Sequence, residues 1–289
     1  MTARTEYWRL LIDTPADGAW NMAVDEAILD GYTATTGAIR PPTLRLYGWR
    51  PAALSLGKSQ PAGESHDAPA LRAAGVDLVR RPTGGWAVLH DHERTYALTG
   101  PLRAPSFASG VLTTYRRVAD ALILALGGLG VEVGASGEAP ARTTTRASAA
   151  CFTVTSAYEI TAGGRKLVGS AQLRRRGGFL QHGSIPIRID AARLAVVLGR
   201  EIDAERFTDL GTALGRIPDP DEVDRALCAG FSQAFDVKLR RGRLTADERL
   251  RATRLRAWKH LSAAWVVGGK AGRREAAWGP TARASSAAS

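Results

Sequence analysis

The most restrictive feature of this 289-residue chain is the irregular order of its strand-like and helix-like patterns. Polar and apolar residues alternate over residues 7–12 and 43–47, which predicts strands, and a helical period over residues 17–36 and 106–126 predicts helices. These patterns do not repeat as regular strand–helix–strand units. Because a doubly wound parallel sheet is built from such units, we predict instead an α+β fold with mixed and antiparallel sheets flanked by helices.

Short elements fill the regions between these patterns. The remaining strands are predicted at residues 53–56, 76–81, 87–89, 95–99, 131–133, 156–160, 166–174 and 179–187, and the remaining helices at residues 68–74, 191–198, 221–235 and 247–261. The last three strands indicate an antiparallel meander with turns at residues 161–164 and at Gly177-Gly178. Residues 134–150 have no periodic apolar face and predict a loop that leads directly to Cys151.

Composition excludes several classes of protein. Apolar residues make up 45% of the chain, which is typical of a globular domain with a core. No segment approaches the ~20 apolar residues of a membrane span, and no secretory signal is visible. Two cysteines cannot form a disulfide framework. We therefore expect a cytoplasmic protein that does not associate with membranes.

The positive charge is concentrated at the C-terminal end. The chain carries a net charge of +11, and residues 238–289 contain 13 of the 39 Lys/Arg but only 3 of the 28 Asp/Glu. The rest of the chain is therefore nearly neutral. Such a block is compatible with a solvated helix and tail, with docking of an acidic protein partner, or with nucleic-acid binding. We favour the solvated helix and tail.

Cys151 and Lys166 form the first candidate for chemistry. Cys151 follows the predicted loop, and Lys166 lies fifteen residues later, just beyond the glycine turn. A hairpin of this length can bring the two side chains together, and a nearby ammonium lowers the pKa of a thiol and favours the nucleophilic thiolate. A lone cysteine is more often a small buried residue. We expect this of Cys228, which shares an apolar helix stripe with Phe231 and Phe235.

A double glycine provides the second candidate. The segment reads Arg80-Arg81-Pro82-Thr83-Gly84-Gly85-Trp86-Ala87-Val88-Leu89-His90. Glycines between strands allow a ligand to lie against the main chain, Arg80 or Arg81 could meet an anion, and His90 ends the following strand. The spacing matches neither a Walker loop nor a dinucleotide-binding fingerprint. Two glycines alone are more often a simple turn.

Small residues on the meander provide the third candidate. Gly169-Ser170-Ala171 follow Lys166 along its strand, and Gln181-His182-Gly183-Ser184 occupy the next strand. Small side chains beside a lysine predict a narrow apolar slot, in which His182 is either a general base or a satisfied polar group of the core. The three other histidines, His66, His92 and His260, have no partners at metal-ligand spacing. We therefore expect no metal site.

Together these segments resemble the biotin/lipoate protein ligase and octanoyltransferase superfamily over residues 8–239. The motifs that carry the resemblance are Asn21-Met22-Ala23-Val24-Asp25-Glu26, Leu44-Arg45-Leu46-Tyr47-Gly48-Trp49, Ser55-Leu56-Gly57-Lys58-Ser59-Gln60, the double-glycine segment, and Gly164-Arg165-Lys166-Leu167-Val168-Gly169-Ser170-Ala171-Gln172. The double-glycine segment resembles the acyl-binding loop of the superfamily, and the last motif resembles its strand with the invariant lysine. The implied fold is the catalytic domain of that superfamily.

The region after the predicted loop is most similar to the LipM-type octanoyltransferases. Ala150-Cys151-Phe152 stands where ATP-dependent lipoate ligases typically have an Asn-Asp pair, and LipB-type transferases place their cysteine near the segment matching Gln181-His182-Gly183. The resemblance implies that Cys151 forms an acyl thioester and that Lys166 lowers the pKa of its thiol. It also implies that the acyl group is bound by Arg81, Gly84, Gly85, Ala87, His90, Gly169, Ser170, Ala171, His182 and Gly183.

The resemblance further implies partners and a domain plan. We expect octanoyl transfer from octanoyl-acyl carrier protein to the lysine of lipoyl domains, in 2-oxoacid dehydrogenase E2 subunits or the glycine cleavage H protein, without ATP or a metal. We expect a monomer that does not bind nucleic acid, with a catalytic domain at residues 1–245, a basic helix at 246–268 and a disordered tail at 269–289. Both partners are acidic as families, so the basic block could steer them.

Three alternative functions remain open at this point. They are an ATP-dependent lipoate ligase, an amidotransferase that takes octanoate from the H protein, and a non-catalytic acyl-binding relative whose basic tail binds nucleic acid. One position also departs from the family pattern, because Trp86 stands where a small or polar residue is expected. The preferred length of the acyl chain is therefore open as well.

Overall fold

The computed structural model describes residues 6–33, 40–63, 66–107, 110–135, 159–175 and 177–269. In these ranges the strands are β1 (Glu6–Ile12), β2 (Thr43–Tyr47), β3 (Ala53–Leu56), β4 (Asp77–Arg80), β5 (Val88–His90), β6 (Glu93–Pro101), β7 (Val133–Ala135), β8 (Ile160–Ala162), β9 (Arg165–Arg175), β10 (Gly178–Pro186) and β11 (Val237–Arg241). The helices are α1 (Gly18–Thr33), α2 (Ala68–Ala73), α3 (Val111–Gly128), α4 (Ala191–Leu198), α5 (Leu210–Leu214), α6 (Pro220–Phe235), α7 (Ala246–Leu255) and α8 (Ala263–Val266). None of the helices in these ranges has the length and apolar composition needed to cross a membrane.

The strands of the described residues form two mixed sheets. The larger sheet has the order β11-β1-β2-β6-β10-β9-β8-β7, in which β1 is parallel to both β2 and β11 and the remaining neighbours are antiparallel. The smaller sheet has the order β4-β3-β5, with β3 parallel to β4 and antiparallel to β5. The mixed sheets and their flanking helices confirm the predicted α+β fold.

Helix α1 is buried on nearly all sides because it packs against both sheets and against α7. Met22 and Leu29 pack with Tyr47 of the larger sheet and Ala53 of the smaller one. The other side of the helix forms a cluster with α7 and β1, made of Leu11, Ala23, Val24, Ala27, Ile28, Ala252 and Leu255. The position of α1 places the polar residues of its first two turns, Asn21 and Asp25, in the interior.

Helices α3 and α6 cover one face of the larger sheet. They approach closely at Gly230, where an added Cβ atom would lie 2.3 Å from the Ala121 carbonyl oxygen. The predicted helix at residues 106–126 begins only at Val111, because Phe107 is buried in the core and Gly110 adopts a φ of 105° just before the helix. Packing of the Phe107 ring against Trp8 and Phe179 therefore fixes the chain outside the helix.

The described part of the basic C-terminal block is packed into the domain, which corrects the prediction of a solvated helix. β11 pairs with β1 as an edge strand that the charge-rich sequence does not reveal. The predicted helix at residues 247–261 is divided into α7 and a π-helical turn, Arg256–His260. In that turn Lys259 and His260 are only 4% and 1% exposed. They bind the Glu26 carboxylate of α1, with Nζ–Oε2 and Nε2–Oε2 distances of 2.6 and 3.0 Å.

Candidate active site

A narrow cavity lies between the two sheets. Its walls come from α1, β2, β3, β5, β6, β9 and β10, together with the residues that flank β2 and β4. The lining residues are Met22, Tyr47, Trp49, Ser55, Arg81, Val88, His90, Thr95, Gly169, Ser170, Ala171, His182, Gly183 and Ser184. Elements far apart in sequence thus converge on one mainly apolar space.

Most residues predicted to bind the acyl group line this cavity. The structure brings together Arg81, His90, Gly169, Ser170, Ala171, His182 and Gly183. Three predicted residues lie outside the lining: Gly84 and Gly85 are exposed on the double-glycine loop, and Ala87 is buried in the cluster between the smaller sheet and α4. Gly85 instead packs its carbonyl oxygen against Gly57, where an added Cβ atom would lie only 1.8 Å from it.

Both arginines of the double-glycine segment, Arg80 and Arg81, bind backbone carbonyl groups. The Arg81 guanidinium donates to the carbonyl oxygens of Gly84, Trp86 and Ser55 at 2.7–3.2 Å. Consecutive side chains of a strand point to opposite faces. Arg81 therefore faces the cavity and shapes the double-glycine loop, whereas Arg80 faces the C-terminal segment.

Arg80 joins the C-terminal segment to the chain beside the cavity. Its guanidinium donates to the carbonyl oxygens of Trp265, Val266 and Val267, and on the other side to those of Gly57, Lys58 and Gln60. The Trp265 indole N–H donates in return to the Arg80 carbonyl oxygen at 2.9 Å. The position of the 57–60 turn, which contacts Gly85, is thereby tied to residues 265–267.

His182 belongs to a buried polar network rather than standing alone in the slot. Its Nδ1 lies 3.3 Å from Asp25 Oδ2, and its Nε2 lies 2.7 Å from Thr83 Oγ1. Burial lowers the pKa of His182 despite the opposing effect of Asp25, so the ring is neutral near pH 7. A neutral ring that donates from Nδ1 to the Asp25 carboxylate accepts at Nε2 from the Thr83 hydroxyl.

Asp25 is the charged centre of this network, and residue patterns gave it no role beyond its place in a family motif. It is fully buried and binds Arg45 Nη1 at 2.8 Å and the Tyr47 hydroxyl at 2.8 Å. Burial alone would raise its pKa, but Arg45 and His182 outweigh this effect and lower it. The carboxylate therefore stays ionised and fixes the orientation of two residues that line the cavity, Tyr47 and His182.

Lys166 is buried at the edge of the cavity. It is 4% exposed and its ammonium forms an ion pair with Glu159. Its Cε atom lies 3.6 Å, and its Nζ atom 4.0 Å, from the point where a Cβ atom on Gly169 would stand. Gly169 thus lets the lysine side chain lie against the wall of the cavity. Cys151, the predicted nucleophile, lies outside the described residues, so its distance from Lys166 stays a prediction.

Small residues keep the β9–β10 wall of the cavity close to its neighbours. An added Cβ atom at Gly183 would lie 2.4 Å from Tyr96 Cε1 and 2.8 Å from Ser170 Oγ. Ser170 and Tyr96 share a hydrogen bond of 2.7 Å between their hydroxyl groups. Burial raises the pKa of Tyr96 to about 12, so its hydroxyl remains protonated. The predicted apolar slot is therefore narrow because of specific contacts at Gly183 and Ser170.

His90 heads a second polar cluster whose other members sequence reasoning missed. Its Nε2 lies 2.8 Å from Ser55 Oγ, its Nδ1 lies 3.0 Å from Glu93 Oε1, and its ring stacks on Trp49 at a centroid distance of 4.0 Å. The only local evidence for this cluster in the sequence was Glu93, a carboxylate three residues after His90. Nothing in the sequence linked Ser55 to His90, because Ser55 lies on a strand 35 positions earlier.

Cys228 and His260 differ from their predicted environments. Cys228 is only partly buried at the edge of the core, and burial, with the nearby Asp224 carboxylate, raises its pKa to about 11, so its thiol is a poor nucleophile. His260, which had no evident partner in the sequence, binds Glu26. Among the described residues, no group of three or more His, Cys, Asp or Glu side chains is arranged to hold a metal ion.

Comparisons with known proteins point to one family. The family model of the lipoyl protein ligase A/B catalytic domain matches residues 17–232. The octanoyltransferase LipM of Kyrpidia tusciae is 41% identical over 271 residues, which cover 89% of this chain and 97% of that protein. The octanoyltransferase LipM of Symbiobacterium thermophilum is 41% identical over 263 residues, covering 86% and 93%. A putative lipoate protein ligase from T. acidophilum with bound lipoic acid superimposes with a TM-score of 0.74 at 26% identity, covering 91% of this chain and 99% of that one.

Proposed function

Because the chain belongs to the lipoyl protein ligase A/B catalytic domain family, we propose that it transfers an octanoyl group in lipoate biosynthesis, from octanoyl-acyl carrier protein to the lysine of a lipoyl domain. The chain is an acyltransferase of this family. Its similarity to octanoyltransferases, which extends over most of the chain, supports the octanoyl group. The donor follows from the branch that the Cys151 region resembles.

The observation that carries this proposal is the placement of Lys166. A buried ammonium lies against Gly169 at the edge of a cavity lined by the predicted acyl-binding residues. An acyl chain in that cavity would present its carbonyl group beside this ammonium. A cation at that point stabilises a neighbouring thiolate and then the negative charge that develops on the carbonyl oxygen.

The proposed reaction proceeds in two acyl transfers. The Cys151 thiolate attacks the thioester carbonyl of the donor, the carbon–sulfur bond breaks, and the carrier leaves as a thiolate that takes a proton from solvent. The amine of the target lysine then attacks the Cys151 thioester, its nitrogen loses a proton to solvent, and the amide forms as the Cys151 thiolate is released. The donor is already activated as a thioester, so the reaction requires neither ATP nor a metal ion.

The proposed partners are the acyl carrier protein as donor and lipoyl domains as acceptors. A solved structure of similar fold is that of a bi-partite lipoate protein ligase and its E2 lipoyl domain from Thermoplasma acidophilum, which supports a lipoyl domain as acceptor. The exposed arginines of β11 and α7 give this end of the molecule a basic surface that attracts acidic domains. Deleting residues 269–289 leaves these arginines in place and should change the transfer rate at low salt only if the tail contributes to steering.

The first test is intact-protein mass spectrometry after mixing the protein with octanoyl-acyl carrier protein in the absence of ATP. A single octanoyl adduct is expected on the wild type, absent from Cys151→Ser, and discharged by an apo lipoyl domain. If no adduct forms and the lipoyl domain is modified only when ATP and free acid are supplied, the protein is a ligase. The bound lipoic acid of the T. acidophilum structure makes this ligase the second candidate.

The Lys166→Met variant tests the proposed role of the ammonium. It should slow adduct formation on the order of 10²-fold or more, because the charge next to the thiol and the carbonyl is removed. Lys166→Arg keeps the charge in a larger, planar group and should recover part of the rate. Equal rates in wild type and Lys166→Met would contradict the role of Lys166 and leave that of Cys151 intact.

A further inference from the structure

We propose that Ser55, His90 and Glu93 form a second nucleophilic centre, which hydrolyses acyl thioesters bound in the cavity. This activity goes beyond the proposed octanoyl transfer and uses a different nucleophile, so either proposal can fail without the other. The cluster has the order of a nucleophile, a base that contacts it, and a carboxylate that orients the base. The transfer mechanism uses none of its three side chains as a reacting group.

The hydrogen bonds assign a role to each member. Ser55 Oγ lies 2.8 Å from His90 Nε2, and His90 Nδ1 lies 3.0 Å from Glu93 Oε1. A neutral ring that donates from Nδ1 to the carboxylate must accept at Nε2, so the serine hydroxyl donates to the ring. This is the tautomer that allows the histidine to remove the serine proton.

The surroundings keep the carboxylate ionised and the ring fixed. Glu93 also accepts hydrogen bonds from the hydroxyl groups of Thr95 and Ser184. Burial would raise the pKa of Glu93, but His90 and these hydroxyl groups outweigh it and lower the pKa. The His90 ring stacks on Trp49 with an angle of 10° between the planes. The ionised Glu93 carboxylate would therefore stabilise the His90 ring when it becomes protonated during catalysis.

Ser55 can be reached only through the cavity. The residue has no surface exposed to bulk solvent, yet both Ser55 and His90 line the cavity between the sheets. The lining is mainly apolar, which suits an acyl chain and excludes a bulky polar substrate. The inferred substrate class is therefore a thioester of a short or medium acyl chain.

A cation lies beside the proposed nucleophile. Arg81 Nη1 lies 3.1 Å from Ser55 Oγ and 2.9 Å from the Ser55 carbonyl oxygen. During attack the thioester carbonyl oxygen becomes negative within a short distance of Ser55 Oγ. The Arg81 N–H groups are held by the two serine oxygens and by the carbonyl oxygens of Gly84 and Trp86, so the guanidinium would stabilise that charge through its positive charge rather than as a hydrogen-bond donor.

The hydrolysis balances with water as the only co-reactant. His90 Nε2 takes the proton of Ser55 as Oγ attacks the carbonyl carbon, and the same proton is passed to the thiolate that leaves. Water then attacks the serine ester, giving its proton to His90, which returns it to Ser55 Oγ as the ester bond breaks. The products are the free fatty acid and the free thiol.

The test measures octanoyl-N-acetylcysteamine hydrolysis by the full-length Cys151→Ala protein, which lacks the proposed transfer nucleophile. Release of free thiol above the buffer rate is expected, and it should fall on the order of 10²-fold or more when Ser55→Ala is added. Ser106→Ala is the matched control, because Ser106 is a buried serine outside the cavity that binds Glu6. That control should hydrolyse the thioester as fast as the Cys151→Ala protein.

A labelling experiment keeps the proposal testable if Ser55→Ala fails to fold. A fluorophosphonate bearing an alkyl chain should phosphonylate Ser55 in the Cys151→Ala protein, as read by peptide mass spectrometry, and His90→Gln should abolish the label. Hydrolysis at the buffer rate, hydrolysis that persists in Ser55→Ala, or an unlabelled Ser55 would each overturn the proposal.

Discussion

Buried charges hold the inner wall of the cavity in place at the scale of single residues. Asp25 neutralises Arg45 and orients His182, and all three side chains are at least nine-tenths buried. Such a network is stable only when every member has a partner, because an unpaired charge in the interior loses its hydration without compensation. The geometry of the cavity therefore depends on a residue that does not line it.

Asp25→Asn should reduce the free energy of unfolding by on the order of 3 kcal/mol, because the Arg45 guanidinium loses the charge of a fully buried partner. Urea denaturation of wild type and variant measures this difference. Asp247→Asn is the control, since Asp247 pairs with Arg251 on the exposed side of α7 and its loss should change stability by less than about 1 kcal/mol. Equal effects of the two substitutions would contradict this account of the network.

The double-glycine loop is positioned at the scale of elements by its neighbours rather than by its own sequence. Arg81 binds its carbonyl groups from the cavity side, and Gly57 in the preceding turn packs against Gly85. The Arg80 side chain then joins that turn to the segment after α7. Three parts of the chain thus fix one loop next to the candidate active site.

Gly57→Ala should displace this loop, because the new Cβ atom would stand 1.8 Å from the Gly85 carbonyl oxygen, which is backbone and cannot rotate away. We expect a loss of stability of about 1–3 kcal/mol and a raised KM for the acyl donor. Gly63→Ala is the matched control, since in the described part of the chain no atom beyond its immediate neighbours lies within 4 Å of its Cβ position. Thermal unfolding and steady-state kinetics compare the two, and a Gly57→Ala protein that behaves like the control would refute the steric account.

At the scale of the whole molecule, the C-terminal segment of residues 256–269 is part of the folded domain. Residues 256–269 supply the Lys259 and His260 side chains that bind Glu26 and the carbonyl groups that bind Arg80. Both Glu26 and Arg80 are buried, so they would lose these partners together if the segment were removed. The positive charge of the block is accordingly used in part for internal pairing.

Two truncated chains isolate the contribution of this segment. A chain ending at residue 255 should be less stable than a chain ending at residue 269 by at least about 3 kcal/mol, because Glu26 and the Arg80 guanidinium lose partners. Chemical denaturation of both proteins gives the difference directly. Equal unfolding free energies would show that the segment lies on the domain without stabilising it.

Acid should destabilise the whole molecule, beginning below about pH 6.5. Burial lowers the pKa of His182 and His260 from the ordinary value of 6.5, so the unfolded chain binds protons that the folded chain does not. Burial would raise the pKa of Glu26, but His260, Lys259 and Arg175 outweigh it and lower the pKa. Its contribution to stability is therefore lost below about pH 4.5.

Thermal unfolding across this range provides the measurement. The Tm of the wild type should fall between about pH 7.5 and pH 5.5, and His260→Gln should show a smaller fall, because one buried group that must become charged has been removed. A wild-type Tm that stays constant or rises over this range would contradict the assignment of these histidines as neutral in the folded protein.

The sequence by itself determined the fold class, most elements and half of the cavity residues. Local periodicity specifies helix or strand because each backbone conformation repeats its side chains with a fixed period. β3 and α4 lie at their predicted bounds for this reason, and the motifs on β9 and β10 placed Gly169 and His182 correctly on the cavity wall. β11 was not predicted, because an edge strand with charged residues carries no apolar alternation.

Only the tertiary structure decided which partner each polar side chain meets. Thr83 and His182 are 99 residues apart in the chain, and Arg80 and the Trp265 carbonyl are 185 apart, so no local pattern connects them. Ala87 faces a different core from His90 although both follow the double glycine. A hydrogen bond depends on atoms within about 3 Å, and the packing of distant elements, rather than the order of residues, sets those distances.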